Sequence, residues 1–408
     1  MISTKDSNLL KNKSLRTLMM AKVSTNFTYQ MLTVSVGWQM YSLTHSAFYL
    51  GLVGLVQFMP MLLLSLFVGH ISDRYDRRKI VTISQVIQSI FILILAFESF
   101  SGRITKESFL IIIFFIAVAH SFEGPPMQAL LPNIVDRDIF PRASALISSV
   151  SEFAVIIGPA VGGILYSLGP TLVYTLAGIL LLISSILISL ISIRKDEFKP
   201  EPTSLKSLFA GIFFIKSKPI ILGAISLDLF AVLFGGATAL LPIYASSILM
   251  IGSFGLGVLR SAPAIGALLM SAYLARNPLR HNVGKTMFTA VIFFGLSTII
   301  FAISKSVIIS FLALFLLGAS DVISVVIRST LVQLETPDSM RGRVSSVNMI
   351  FIGTSNQLGE FESGLTASLF GTVPATLIGG IGTIVVVMLW MKLFPSILHT
   401  DKFEELKN

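Results

Sequence analysis

The sequence predicts an all-α membrane protein of twelve transmembrane helices arranged as two six-helix bundles. Composition comes first: a mean hydropathy of +0.85, with 54% hydrophobic and only 12% charged residues, is outside the range of soluble domains. Length comes second. Apolar runs recur throughout the 408 residues, and at roughly 20 residues per crossing plus short loops there is room for about twelve. The third observation is that the bases fall almost entirely on alternate sides of those runs.

The elements follow in order. Residues 1–16 are polar and basic (Lys5, Lys11, Lys13, Arg16) and lack a small-residue cleavage site after a short apolar core. They read as a cytoplasmic tail leading into an uncleaved first span. The first bundle, 17–193, holds spans at 17–43, 47–69, 79–98, 107–130, 143–167 and 171–193. Span 1 is unusually polar for a lipid-facing helix, with Asn26, Thr28, Tyr29, Gln30, Trp38 and Gln39. Gly124-Pro125-Pro126 should break span 4, because the prolines free backbone carbonyls there. Gly158-Pro159 and Gly162-Gly163 should give span 5 a kink and a close-packing face.

The segment 194–218 is the one long hydrophilic connection. It opens on Arg194-Lys195-Asp196-Glu197 and carries Pro200 and Pro202, the marks of a linker. Leu205, Leu208, Phe209, Ile212, Phe213 and Ile215 then recur at helical spacing beside Lys206, Lys216 and Lys218. That pattern predicts a short amphipathic helix on the inner membrane surface. The second bundle, 219–395, has spans at 219–246, 254–276, 284–304, 307–333, 343–370 and 373–395, and 396–408 is a second cytoplasmic tail. A short internal repeat supports the division. Asp138, Arg142, Ser144 and Leu146 correspond to Asp338, Arg343, Ser345 and Val347, offset by about 200 residues, each set following the fourth span of its half.

In this layout twenty-five of the thirty bases lie on one side, and only Arg103, Lys106 and Lys305 lie in loops on the other. The positive-inside rule then places both termini on the cytoplasmic side of the membrane. The net charge of +9 does not imply nucleic acid, because the bases are dispersed among apolar spans instead of gathered on one soluble face. With no cysteine there is no disulfide, thiolate metal site or thiol nucleophile. No cofactor is implied. Gly284-Lys285-Thr286 lacks the leading Gly of a nucleotide-binding P-loop, since position 279 is Leu. No Gly-x-Ser-x-Gly or His-Glu-x-x-His run suggests an enzyme.

The turn between spans 2 and 3, Gly69 to Lys79, packs two acids and four bases into a short stretch that hydrocarbon would not tolerate. Gly69 permits close helix approach, and Asp73 can accept from Arg77 or from a neighbouring helix N-terminus. Gly69, Asp73, Arg74, Arg77 and Arg78 therefore suit a latch that forms in one conformation and breaks in another, or else a plain topology anchor. The spacing Gly69-x-x-x-Asp73-Arg74-x-x-Arg77-Arg78, with Asp76 where Gly is usual, resembles the signature of the major facilitator superfamily of secondary transporters. The resemblance implies the fold predicted above, with the substrate site between the two bundles and spans 1, 4, 7 and 10 lining it. Gly158-Pro159-x-x-Gly162-Gly163 is similar to the superfamily's span-5 antiporter motif, with Ala145 and Ala154 in place of its upstream glycines. Asp228 to Gly236 with Leu240-Leu241-Pro242, Arg260 to Pro263, Arg341 to Val344 and Ser355 to Gly364 resemble the enterobactin-exporter and macrolide-efflux branch. That implies export of a bulky amphipathic molecule, a siderophore or a drug-like compound, by proton antiport. A siderophore importer and a transporter-like sensor without flux are the alternatives. A monomer whose partners are substrate, protons and the lipid bilayer is expected.

Glu123, Glu152, Asp228, Arg260, Asp321, Arg328, Glu360 and Glu362 fall inside spans. A central charge costs at least about 2.5–3.5 kcal/mol on insertion scales, so these groups should pair or face a wet cavity. Two bases cannot neutralise six acids, and the remaining acids are candidate proton carriers. One proton moving down roughly 100 mV supplies about 2.3 kcal/mol. Asp228, near mid-membrane with nothing adjacent to neutralise it, is the leading candidate for coupling or substrate contact, against a structural pair with Arg260. Glu123, Glu152, Asp321 and Glu360 are further candidates. Asp321 and Arg328, seven apart on one face, suggest structural or gating pairing, while Glu360 and Glu362 point in different directions. His120 and Glu123, three apart, suggest a proton relay; two ligands do not make a metal site. Asn26, Tyr29 and Gln30 are candidate substrate contacts or interhelical hydrogen-bond partners.

Overall fold

The computed structural model describes residues 11–136, 138–192 and 205–403. Its long helices are α1 (Lys13–Thr44), α2 (Ala47–Arg74), α3 (Arg77–Ser101), α4 (Lys106–Ser121), α5 (Phe140–Ser167) and α6 (Pro170–Ser189). After the linker come α7 (Leu205–Ser217), α8 (Pro219–Phe234), α9 (Gly252–Arg276), α10 (Val283–Ile303), α11 (Val307–Glu335), α12 (Asp338–Phe370) and α13 (Thr372–Leu393). Among the described residues nine helices are long and apolar enough to cross a membrane, counting α8 with the turns that carry it on to Ile248. α1, α4 and α12 occupy the positions of expected spans 1, 4 and 11. Large side chains left exposed, such as Phe97, Phe100, Ile186, Ile308 and Leu369, would be an aggregation hazard in water and are ordinary against lipid.

Local chemistry sets the ends. α3 starts where the Asp76 carboxylate accepts from the Arg78 N–H at 2.9 Å, and stops at Gly102, which takes a left-handed φ of 66°. α4 opens on a reciprocal cap between Thr105 and Ser108. It ends at Ser121, short of the expected 130, because Pro125 and Pro126 start a new turn, Gly124–Gln128. α8 ends at Phe234 instead of running to 246. Gly235-Gly236 and Pro242 divide the remainder into a 3₁₀ turn (Ala237–Leu240), a single helical turn (Leu241–Ile243) and a π turn (Tyr244–Ile248). α12 begins five residues before the expected 343, directly after Pro337.

Backbone contacts group the described residues into two units. One gathers residues up to Leu43 with those from Met59 to the end of α6; the other gathers Thr44–Phe58 with everything from α7 onward. The first half of α2 therefore groups with the second unit, away from the 17–193 bundle boundary. The reason lies in Gly51 and Gly54: a Cβ on Gly51 would stand 2.8 Å from Gly364 Cα, and one on Gly54 would stand 2.8 Å from Glu360 Cβ. In the first unit α3 packs along α6 and α4, and its core joins Leu15, Leu18 and Ala21 of α1 to Val81, Leu130, Ile147 and Ile188. In the second unit α10 packs on α11 and α13, α9 on α11, and α8 on α12 and α13. α7 docks by Gly211 and Ile215, leaving Phe209 and Phe213 exposed. Arg194, Lys195 and Lys199 lie outside the described residues.

The Gly158/Gly162 face of α5 lies directly on α1. A Cβ at Gly162 would stand 2.8 Å from Met31 Cα, and one at Gly158 would stand 2.6 Å from Gln30 Cβ. Gly162→Ala should therefore cost about 1–3 kcal/mol by overpacking backbone against backbone. Gly124→Ala, where nothing lies within 4 Å, should stay within about 0.5 kcal/mol. Detergent-solubilised thermal unfolding checks the pair, and equal Tm values would contradict the packing assignment.

Candidate functional site

The break in span 4 places Glu123 between α4 and the turn Gly124–Gln128, where it is 2% exposed. Its carboxylate faces three helices. Gln85 Nε2 of α3 donates to Oε1 at 2.8 Å, Gln88 Nε2 donates to Oε2 at 2.8 Å, and the Tyr29 hydroxyl of α1 also donates to Oε2. His120 Nδ1, one turn back, is 2.8 Å from that hydroxyl and 3.9 Å from Oε2. The network runs on through Gln85 to Thr25 Oγ1 at 3.0 Å, and from there to Ser184 Oγ of α6 at 2.8 Å. Lys22, one to two turns from Thr25 and Tyr29 on α1, adds a positive charge to the same surroundings. An isolated buried carboxylate would be very costly; this one is held mainly by neutral donors, so it can be satisfied with or without a proton.

The second unit holds the other acids. Asp228 and Arg328 form a buried ion pair between α8 and α11, with side chains 8% and 5% exposed. This corrects both pairings expected from the sequence. Arg260 instead donates to Thr238 O at 3.2 Å and interacts electrostatically with Glu360. Asp321 shares a face with Arg328, but seven residues at 1.5 Å each put them about 10.5 Å apart along the axis. α8 supplies the acid at the right level instead. Asp321 still feels both charges and lines a small space with Asp228, Ser320 and Ser324. On its other side lies a cavity of about 320 Å³ that Asp321, Glu360, Asn356, Thr238 and Phe294 help to line. Glu362 turns away and accepts from Thr366 Oγ1 at 2.8 Å.

The remaining candidates are separate from these groups. Glu152 is exposed on α5, with no hydrogen bond or ion pair among the described residues. Asn26 and Gln30 are half-buried on α1, and Gln30 packs against Gly158. Pro159 and Gly163 are buried beside Gly158 and Gly162. In the charged turn the surroundings of Gly69 and the side chain of Asp73 lie outside the described part of the structure. Arg74 is exposed, Arg77 reaches Ala129 O at 3.5 Å, and Arg78 pairs with Asp76 at 2.8 Å while donating to Ile191 O at 2.8 Å. Hydrogen bonding to Arg78 holds the Asp76 carboxyl below the usual carboxylate range. The second unit anchors its own third helix comparably. Asp401 accepts from the Asn282 N–H at 2.7 Å and from His281 Nδ1 at 3.0 Å, while Gly284 N–H donates to Thr400 O at 3.0 Å. The segment 396–403, expected as a tail, is thus tied to the start of α10, with Ile397 wholly buried.

Sequence reasoning missed Gln85, Gln88, Thr25 and Ser184. The available signal was a pair of amides three apart on an otherwise apolar span.

Comparison with known proteins gives a consistent picture. The model of a family described as transmembrane secretion effector, MFS_3, matches residues 7–404. The chain is 25% identical over 400 residues to the enterobactin exporter EntS of Citrobacter koseri, covering 96% of this chain and 94% of that one. It is 25% identical over 362 residues to the staphyloferrin A transporter of Staphylococcus aureus, covering 88% and 90%. Two solved structures share the fold at low identity. One is a bacterial homologue of the lysosomal transporter Spinster (TM-score 0.72, 13% identity, covering 94% and 96%). The other is a bacterial homologue of the iron transporter ferroportin (TM-score 0.71, 16% identity, covering 95% and 98%).

Two predictions follow from the geometry. Asp228→Asn alone takes from buried Arg328 the carboxylate it is hydrogen-bonded to and should cost about 3–5 kcal/mol, much of it recovered in Asp228→Asn/Arg328→Gln. Thermal unfolding of the three proteins checks this, and a double variant no more stable than the single one would contradict the pairing. Hydrogen bonding from Asn282 and His281 holds Asp401 below its usual value. Its attachment is therefore complete above the ordinary carboxylate pKa of about 3.9 and lost as pH falls through the lower folded value. Hydrogen exchange at Val283 and Gly284, corrected for intrinsic rates, should be protected at pH 5–7 and opened in Asp401→Ala; unchanged protection in that variant would contradict the attachment.

Proposed function

Because the chain belongs to the transmembrane secretion effector family MFS_3 of the major facilitator superfamily, and is a multi-pass membrane transporter and not an enzyme, we propose that it is a proton-coupled exporter. Its cargo is a bulky amphipathic small molecule, siderophore or drug-like, moved across the bacterial inner membrane by alternating access, with both termini in the cytoplasm. The observation that carries the coupled reading is the buried carboxyl of Glu123, held by Gln85, Gln88 and Tyr29 next to His120. An acid whose direct partners are mostly neutral can exchange a proton without abandoning a fixed counter-charge, whereas Asp228 is committed to Arg328. This shifts the coupling role from Asp228 to Glu123. The cavity beside Asp321 and Glu360 mixes apolar walls with few polar groups, as a small-molecule site does. Export, as opposed to import, is supported by the relative named an enterobactin exporter.

The test is accumulation of enterobactin and staphyloferrin A in vesicles of both orientations. Export predicts uptake into inverted vesicles with an acidic interior, abolished by a protonophore. Accumulation confined to right-side-out vesicles would indicate an importer, and saturable binding with no movement of either probe would indicate a sensor.

A further inference from the structure

The Tyr29 hydroxyl carries one hydrogen, yet three polar atoms surround its oxygen: His120 Nδ1 and Gln88 Oε1 at 2.8 Å each, and Glu123 Oε2 in closer contact. One hydroxyl hydrogen serves one acceptor at a time, so it has two settings, on Glu123 Oε2 or on Gln88 Oε1. With Glu123 ionised, the hydroxyl donates to Oε2 and His120 Nδ1–H donates to the hydroxyl oxygen. With Glu123 protonated on Oε2, the carboxyl donates to the hydroxyl oxygen and the hydroxyl turns to Gln88 Oε1. Heavy atoms stay in place and only hydrogens move. Access to the two ends differs sharply: the His120 side chain is 51% exposed and that of Glu123 is 3% exposed.

We propose that Tyr29 is the relay through which the buried carboxyl of Glu123 exchanges its proton with the exposed imidazole of His120. The proposal rests on the proton-coupled reading above. As the His120 Nδ1 proton passes to the hydroxyl oxygen, the hydroxyl's own hydrogen passes to Glu123 Oε2. Imidazolium becomes imidazole, carboxylate becomes carboxylic acid, and Tyr29 ends as a neutral phenol with the incoming hydrogen. Rotation of that hydrogen towards Gln88 Oε1 then breaks the return path, which makes Gln88 a positioning residue. The charged and titratable groups facing the carboxyl are Lys22 and Tyr29 from α1 and His120 from α4; α3 contributes the uncharged Gln85 and Gln88. Lys22 and His120 are thus the two basic side chains that face the charge on Glu123.

The experiment is time-resolved infrared spectroscopy of the full chain in liposomes after a pH jump, read at the C=O stretch of protonated carboxyl groups. The band present in the wild type and missing in Glu123→Gln reports Glu123. In Tyr29→Phe, which keeps the ring and removes the hydroxyl, that band should still titrate but should rise about a hundredfold more slowly. His120→Asn should slow it comparably, and stands in should Tyr29→Phe fail to reconstitute. A wild-type rate in either variant, or no band lost in Glu123→Gln, overturns the relay. A slowed band alongside failure of both siderophores to move under a pH gradient supports the relay while removing the coupled-export reading.

Discussion

A carboxyl held in a low-dielectric interior must find its hydrogen-bond partners within the protein, and the first unit is built around meeting that demand at Glu123. Three helices and a helix break converge on one side chain. α4 stops at Ser121 because Pro125 and Pro126 follow, which puts Glu123 at the interruption. α3 brings two amides on one face, and α1 brings a phenol and, two turns away, a lysine. The close seat of α1 on the Gly158/Gly162 face of α5 and the Thr25–Ser184 contact to α6 fix the helix that carries Tyr29. Packing and polar satisfaction are one problem here, because separating α1 from its neighbours would take the Tyr29 donor from the carboxylate and leave it only the two amides of α3.

The second unit meets the same demand with charge. Asp228 and Arg328 neutralise each other between α8 and α11, and Arg260 offsets Glu360 at the cavity. Asp321 remains between the two groups, facing open space on both sides. The first unit thus holds its acid with amides and a phenol, and the second holds its acid with arginine. A fixed ion pair resists protonation, while a neutral cage tolerates both states.

Much of this was legible in the residues. The membrane class, the helix order, the proline break at Glu123 and the close-packing glycines followed from composition, periodicity and the chemistry of Gly and Pro. The His120–Glu123 pair was visible from its spacing of three. Tertiary partnership was not: the choice of Arg328 over Arg260 for Asp228 depends on the relative height of helices far apart in sequence. Gln85 and Gln88 interrupt an apolar run, and nothing in the sequence tells that α1 and α4 lie beside them. Asp76, a departure from the usual motif, proved to be the cap of α3, a role the rule of an acid before a helical run would have offered. The C-terminal residues read as a tail because the partner of Asp401 lies more than a hundred positions earlier.

We propose that the proton driving transport binds at Glu123. The most direct test compares Glu123→Gln with the wild type in proteoliposomes, using a transported siderophore under two regimes: accumulation driven by a pH gradient, and exchange of labelled for unlabelled substrate with no gradient. Glu123→Gln should lose accumulation and keep exchange. Accumulation at the wild-type level in Glu123→Gln would contradict it.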